Sequence, residues 1–258
     1  MRIAQISDTH IESANPEKRA RIADLAAAVD SINALSQPVD VVLHTGDIPH
    51  DATAQDYAAA RSELARLKAP LFTTIGNRDR RAPYFEAFAA DGYLDPVCGY
   101  AQYALDFGGL YLVAVDTQDE QSALGGFCEA REKHLRQLLA TANGRPVLVF
   151  AHHPPLDLPD MKPPSLQYRD GGEAARLVAC LEACPTLVAV VTGHVHRTRA
   201  VPLGGVSLTT VPCIAADLSR EKIADKALRQ PIYHILTVEP GRFSLDAVRL
   251  EAKGRAAA

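Results

Sequence analysis

The chain has 258 residues, 47% of them apolar and 22% charged, with a formal net charge of −4. That balance fits a globular protein with a sizeable core and excludes a disordered or low-complexity chain. The slight acidity argues against general nucleic-acid binding, which shows as a strongly basic face, and no apolar run approaches the ~20 residues of a membrane-spanning helix.

Met1-Arg2-Ile3-Ala4-Gln5-Ile6 opens directly into a predicted strand, so no secretory leader is expected. Apolar runs of strand length recur at 39–44, 71–75, 110–115, 147–150 and 187–191. Helical patterns lie between several of them. In 17–35, Ile22, Leu25, Val29, Ile32 and Leu35 fall at spacings of three and four. In 53–67, Tyr57, Leu64 and Leu67 continue that rhythm behind Thr53, a predicted N-cap. Helices are also predicted at 128–141 and 173–183. Strands alternating with helices predict an α/β fold with strands buried between helical layers.

Residues 155–170 carry Pro155, Pro159, Pro163 and Pro164 and read as a loop placed to cover whatever the preceding strand ends in. Strands are then predicted at 199–203, 206–211, 233–238 and 243–248, with Gly204-Gly205 turning the first pair into a hairpin. The simplest arrangement puts these last strands in a second sheet packed on the first. One domain over 1–250 is expected, with 251–258 as a frayed tail. The five cysteines (Cys98, Cys128, Cys180, Cys184 and Cys213) lack zinc-finger spacing and fit reduced thiols in a cytoplasmic protein.

Five short segments hold most of the side chains that could carry chemistry: Asp8-Thr9-His10, Gly46-Asp47, Gly76-Asn77-Arg78-Asp79, Ala151-His152-His153-Pro154-Pro155 and Gly193-His194-Val195-His196. Each follows a predicted strand, where open α/β sheets place ligands. Alone each motif is weak; together they gather carboxylate, amide and imidazole donors of the kind that hold hard or borderline divalent ions. Asp8 and His10, two apart in an extended segment, are expected to point the same way. Asp47 is the natural shared ligand, since one carboxylate can give an oxygen to each of two ions. Asn77 offers a neutral amide oxygen. His44 is expected to be a strand histidine rather than a ligand. Arg78–Arg81 and Arg197–Arg199 would bring positive charge beside an anionic substrate.

The order Asp-x-His, Gly-Asp, Gly-Asn-x-Asp, His, Gly-His-x-His resembles the calcineurin-like metallophosphoesterase superfamily over residues 1–200. Within it, 102–116 and 150–156 look most like the class III cyclic nucleotide phosphodiesterases. The resemblance implies a four-layer α/β/β/α sandwich of two mixed sheets flanked by helices. It implies a dinuclear centre with Asp8, His10, Asp47 and His196 on one ion and Asp47, Asn77, His152 and His194 on the other. The metals would be manganese, iron or zinc. It implies a phosphodiesterase that hydrolyses a cyclic nucleotide or small phosphodiester by attack of a metal-bridging hydroxide. Homodimers are frequent in the resembled group. His153 is expected beside the site, with Asn77, Arg78, His153 and Arg197 as substrate contacts.

In most of the superfamily a histidine stands where this chain has Arg78. A guanidinium stays charged and is a poor general acid, yet it clamps phosphate oxygens well. Arg78 and Asp79 are therefore the expected catalytic pair, Asp79 fixing the direction of Arg78 or of another nearby base. The UDP-2,3-diacylglucosamine hydrolases share Gly-Asn-Arg-Asp, which opens a second reading, a pyrophosphatase, whose leaving group needs no proton. A metal-free protein-binding scaffold is the third.

Overall fold

The computed structural model describes residues 1–95, 98–158, 161, 165–221 and 229–250. The expected tail, and Pro159, Pro163 and Pro164 of the expected loop, lie outside the described residues. In chain order the elements are β1 (Arg2–Ile6), α1 (Ala20–Asn33), β2 (Val41–His44), α2 (Ala54–Leu64), β3 (Leu71–Thr73), α3 (Arg81–Phe88), β4 (Tyr103–Phe107) and β5 (Leu110–Val115). There follow α4 (Glu129–Ala140), β6 (Val147–Ala151), α5 (Gly171–Glu182), β7 (Leu187–Thr192), β8 (Arg199–Leu203), β9 (Val206–Thr210), β10 (Ile232–Glu239) and β11 (Arg242–Arg249).

Period-two alternation sorts the strand residues into layers. On β1, Ala4 and Ile6 pack with Leu25 and Val29 of α1 and with Tyr57 of α2, whereas Ile3 faces inward. On β6, Val147 and Val149 pack with Leu135 of α4 and Leu177 of α5, whereas Leu148 and Phe150 face inward. The inward sets of both sheets, with Leu43, Leu112 and Leu236, make the central layer. The result is helices, sheet, sheet, helices. Each wholly buried side chain of this size contributes about 1.5–3 kcal/mol.

The first sheet runs β11-β10-β1-β2-β3 and the second β4-β5-β6-β7-β9-β8. Both are mixed: β1, β2 and β3 are mutually parallel, as are β5, β6, β7 and β9, with antiparallel strands at the flanks. The last four strands do not form a sheet of their own, contrary to the sequence-based expectation. β9 pairs alongside β7 and β10 alongside β1, so each hairpin satisfies the open backbone edge of a different sheet. The Gly204 turn of the β8–β9 hairpin is present, with φ +55°.

Two elements went unread in the sequence. α3 begins directly after the Gly76–Asp79 motif and tolerates Pro83 because the first turn has no intrahelical N–H bonds to lose. β4 is an edge strand joined to β5 by Gly108-Gly109, both at positive φ as a tight hairpin turn requires.

Parallel β1, β2 and β3 of one sheet and β6 and β7 of the other all deliver their C-terminal loops to the same end. Polar side chains tie the sheets together there: Gln5 Nε2 donates to Thr192 O at 3.1 Å, and Thr74 Oγ1 to Val115 O at 3.1 Å.

Candidate metal centre

The loops after β1, β2, β3, β6 and β7 bring Asp8, His10, Asp47, Asn77, His152, His194 and His196 together. Around the first three the donor atoms fall into one set: His196 Nε2 lies 3.2 Å from Asp8 Oδ1 and 3.3 Å from His10 Nε2, and His10 Nε2 lies 3.7 Å from Asp8 Oδ1 and 3.6 Å from Asp47 Oδ2. A second set follows: His152 Nε2 is 3.5 Å from Asp47 Oδ2 and 3.1 Å from Asn77 Oδ1, which is 3.0 Å from His194 Nδ1. Asp47 Oδ2 belongs to both. For metal–ligand bonds of about 2.0–2.2 Å, neighbouring donors on a tetrahedron or octahedron stand about 3–3.6 Å apart. The spacings found here fall in that range, except His10 Nε2 to Asp8 Oδ1, which is slightly wider at 3.7 Å.

How the donors are aimed is visible in their other bonds. Asp47 Oδ1 accepts the Arg78 backbone N–H at 2.6 Å, which turns Oδ2 toward the histidines. His152 Nδ1 donates to Thr45 O at 2.7 Å and His196 Nδ1 to Leu218 O at 3.0 Å, leaving Nε2 inward in each. His194 is held the other way round, Nε2 donating to Gln167 Oε1 at 3.0 Å. Burial, reinforced by His153 and His152, keeps the His194 ring well below the usual imidazole range, hence neutral. Its Nδ1 lone pair then faces the Asn77 carbonyl oxygen, two acceptors in contact. A cation between them resolves that conflict, so the donor set fits metal ions.

The charges agree. Burial alone would raise Asp8 and Asp47, but neighbouring histidines outweigh it, holding Asp8 well below the carboxylate range and Asp47 at about 2. Burial depresses His152 and His196, yet the same carboxylates raise His152 to about 9 and His196 well above its ordinary value. The ionised carboxylates therefore keep protons on His152 and His196, in places that a bound cation would take.

The backbone departs from the expected extended loops. Asp8, His10, Asp47, His194 and His196 all have positive φ, between +44° and +69°. Asp8 and His10 share a side through left-handed turns, not through strand alternation. Asp, Asn and His are the side chains that tolerate this region best, and each such residue stores about 1–3 kcal/mol of strain.

Other expectations need correction. Asp79 does not pair with Arg78: it is fully buried, accepts Tyr57 Oη at 2.7 Å on Oδ1, and accepts the N–H groups of Asp47 and Gly76 at 2.9 and 2.8 Å on Oδ2. It holds the Asp47 loop. Burial, with Asp47 nearby, raises its carboxyl to about 7. His153 is wholly buried, its Nδ1 against Thr117 Oγ1 at 2.8 Å and its ring 4.5 Å from that of His194, so it has no open side for substrate. Its imidazole does stand within 4.8 Å of ligand atoms of His152 and His194.

Arg78 is exposed, and among the described residues its guanidinium makes no ion pair. Arg197 is half-buried directly after His196. Arg81, by contrast, is committed to Asp116 through two 2.9 Å bonds, and Arg80 folds back on the Asn77 and Asp79 carbonyls. His44 is buried and neutral, pushed to about 3 by burial, with Thr9 Oγ1 at 3.1 Å from Nε2. Sequence reasoning missed Gln167 and the polar role of Tyr57. Gln167 falls in a loop flagged only for its position, and Tyr57 has the spacing of one more apolar helix residue.

A family model described as calcineurin-like phosphoesterase matches residues 1–198. The chain is 31% identical over 222 residues to the glycerophosphodiester phosphodiesterase GpdQ of Enterobacter lignolyticus, covering 82% of this chain and 77% of that one. It is 32% identical over 219 residues to a probable cyclic nucleotide phosphodiesterase of Rhodopseudomonas palustris, covering 80% and 74%. A dimetal phosphatase from Danio rerio has the same fold, with a TM-score of 0.74 at 15% identity, covering 97% of this chain and 96% of that one.

Convergence of five loops leaves no room for side chains between them. A Cβ on Gly46 would meet Gly76 N at 2.7 Å and His152 Nδ1 at 2.8 Å; one on Gly76 would strike the Asp47 carboxylate, and one on Gly193 the Ser7 hydroxyl. Gly205 meets nothing. We expect Gly76→Ala to cost about 2 kcal/mol or more in urea unfolding, and Gly205→Ala to stay within about 0.5 kcal/mol of the parent. Equal midpoints for the two variants would contradict this geometry.

Proposed function

The chain belongs to the calcineurin-like phosphoesterase family, and from that premise we propose that it is a metal-dependent phosphodiesterase acting on small diesters, with glycerophosphodiesters and cyclic nucleotides as the substrate classes. The observation that carries the reading is the meeting of two four-donor sets at Asp47 Oδ2. In this reading Asp8, His10, Asp47 and His196 hold one ion, and Asp47, Asn77, His152 and His194 hold the other. When bound, such a pair supplies Lewis acidity that activates water and neutralises phosphate oxygens. Carboxylate, imidazole and amide donors suit manganese, iron or zinc. The relatives' names support the diester reading over a pyrophosphatase, and seven converging donors leave little ground for a metal-free scaffold. The five free thiols fit a reducing cytoplasmic setting. Homodimerisation belongs to the same reading through the family resemblance alone.

The protein's own part in the reaction is to orient and to screen charge. Arg78 reaches the open side with an uncommitted guanidinium and is placed to clamp phosphate oxygens as charge builds on them. It donates hydrogen bonds without surrendering a proton, so a basic alkoxide leaves without help from this position. Asp79, with Tyr57 behind it, acts through Asp47 by holding its backbone and is a positioning residue.

Asp47→Ala removes the shared oxygen. We expect bound manganese to fall below about one ion per chain and kcat/KM to drop by roughly a thousandfold or more, measured by elemental analysis and diester hydrolysis. Near-parental turnover would defeat the two-ion reading. Arg78→His, which introduces a group that can give up a proton, is expected to improve hydrolysis of an alkyl diester by about tenfold more than hydrolysis of bis(p-nitrophenyl) phosphate. Equal effects on both substrates would show that the position does not govern leaving-group protonation.

A further inference from the structure

The buried stripe of α1 runs Arg21, Asp24, Leu25, Ala28, Val29 and Ile32. Four of these are apolar, but the two in its first turn are charged, and Arg21 is only 3% exposed. An arginine is almost never buried so fully without a dedicated set of partners. Here Nη1 donates to His10 O at 3.0 Å, with Glu12 Oε2 at 3.5 Å. Nε and Nη2 donate to Asp217 Oδ1 and Oδ2 at 3.1 and 2.9 Å. One planar fork thus ties the loop after β1 to the loop after β9, a span that the single ammonium of a lysine does not match. Asp217 belongs to the short turn Ala216–Leu218, whose Leu218 O accepts His196 Nδ1 at 3.0 Å. Asp24 Oδ2 holds the same turn by accepting the Ala216 N–H at 3.0 Å.

A metal-ligating histidine is normally aimed by a hydrogen bond on its other ring nitrogen. His152, His194 and His196 each have one. His10 does not. Its Nε2 faces Asp8 and Asp47, and its Nδ1 is buried without a hydrogen-bond partner among the described residues. The aim of the His10 ring therefore falls to its backbone, which lies at φ +44°. That backbone is held by its N–H on Asp47 O at 3.0 Å and by Arg21 on its carbonyl. A left-handed residue other than glycine keeps its conformation only where its surroundings over-determine it.

We propose that Arg21 is a positioning residue for one of the two ions, the one assigned to Asp8, His10, Asp47 and His196. The assignment rests on the two-ion reading of the site. Arg21 acts on two of those four ligands at once, on His10 through its carbonyl and on His196 through the Asp217 turn. The other set is aimed from elsewhere, His152 by Thr45 and His194 by Gln167, so its ion does not depend on Arg21.

The test measures manganese binding to the full-length protein by equilibrium dialysis, in the parent and in two backgrounds. Asn77→Ala removes a ligand of the second ion only, and His10→Ala a ligand of the first only. Adding Arg21→Met to Asn77→Ala is expected to weaken the remaining tight site at least about tenfold. Adding it to His10→Ala is expected to change the remaining site by less than about threefold. Equal weakening in both backgrounds would mark a general structural role and overturns the proposal, as does weakening in neither. Asp217→Ala gives a second, milder reading of the same link, since that carboxylate is 38% exposed and its loss opens no buried cavity. It is expected to weaken the same ion about threefold or more, and an unchanged constant in the Asn77→Ala background counts against the proposal whether or not Arg21→Met folds. A parent chain that takes up fewer than two manganese ions overturns the two-ion reading itself. Two ions in the parent without a selective loss overturn the role of Arg21 alone.

Discussion

The structure depends on how one buried carboxylate is held. Asp47 has its backbone N–H anchored on Asp79 and its Oδ1 anchored on the Arg78 N–H, so only Oδ2 remains to face the histidines of both sheets. A carboxylate free to rotate would offer either oxygen to either set; this one offers a single oxygen to both. The anchor itself is anchored, since Asp79 is fixed by the Tyr57 hydroxyl from α2. A helix packed on the outside of the first sheet thereby sets the aim of an atom at the junction of the two sheets.

Such an arrangement is costly for a protein alone. Burying Asp8 and Asp47 among four histidines removes charge from water, a penalty of several kcal/mol per unpaired ion. Five residues in left-handed backbone add strain on top. The helical and central layers offset these costs through ordinary apolar burial, and the paired protons on His152 and His196 offset part of the charge. Strain and buried charge concentrated at one end of an otherwise regular sandwich mark the end where function resides.

Much of this was legible in the sequence. Apolar runs located the strands other than β4, and period-three-and-four spacing located α1 and α2, because both patterns record which face is buried. The donors were legible because Asp, His and Asn recur directly after strands. Sheet membership was not: a strand such as β10, buried on both faces, suits either sheet, and only the open edge of β1 decides between them. The left-handed turns at Asp8 and His10 were equally hidden, since the side chains' shared direction is the same whether turns or a strand produce it. Asp79 was misread for the opposite reason. Its neighbour Arg78 is adjacent in sequence but turned to solvent, while its real partners come from Tyr57 and two backbone N–H groups.

Arg78 separates the two tasks that a histidine at that position could combine, clamping phosphate and giving a proton. Its exposed guanidinium is suited to the first and not to the second, so in the proposed reading the leaving group is the feature of the substrate to which the chain is most sensitive. Beneath that lies the claim that two ions share Asp47 Oδ2. Electron paramagnetic resonance of the manganese-loaded protein addresses it directly. Ions bridged through one carboxylate oxygen are predicted to give the spectrum of an exchange-coupled pair at saturating manganese. A spectrum of isolated Mn(II) alone, at any loading, would contradict the account.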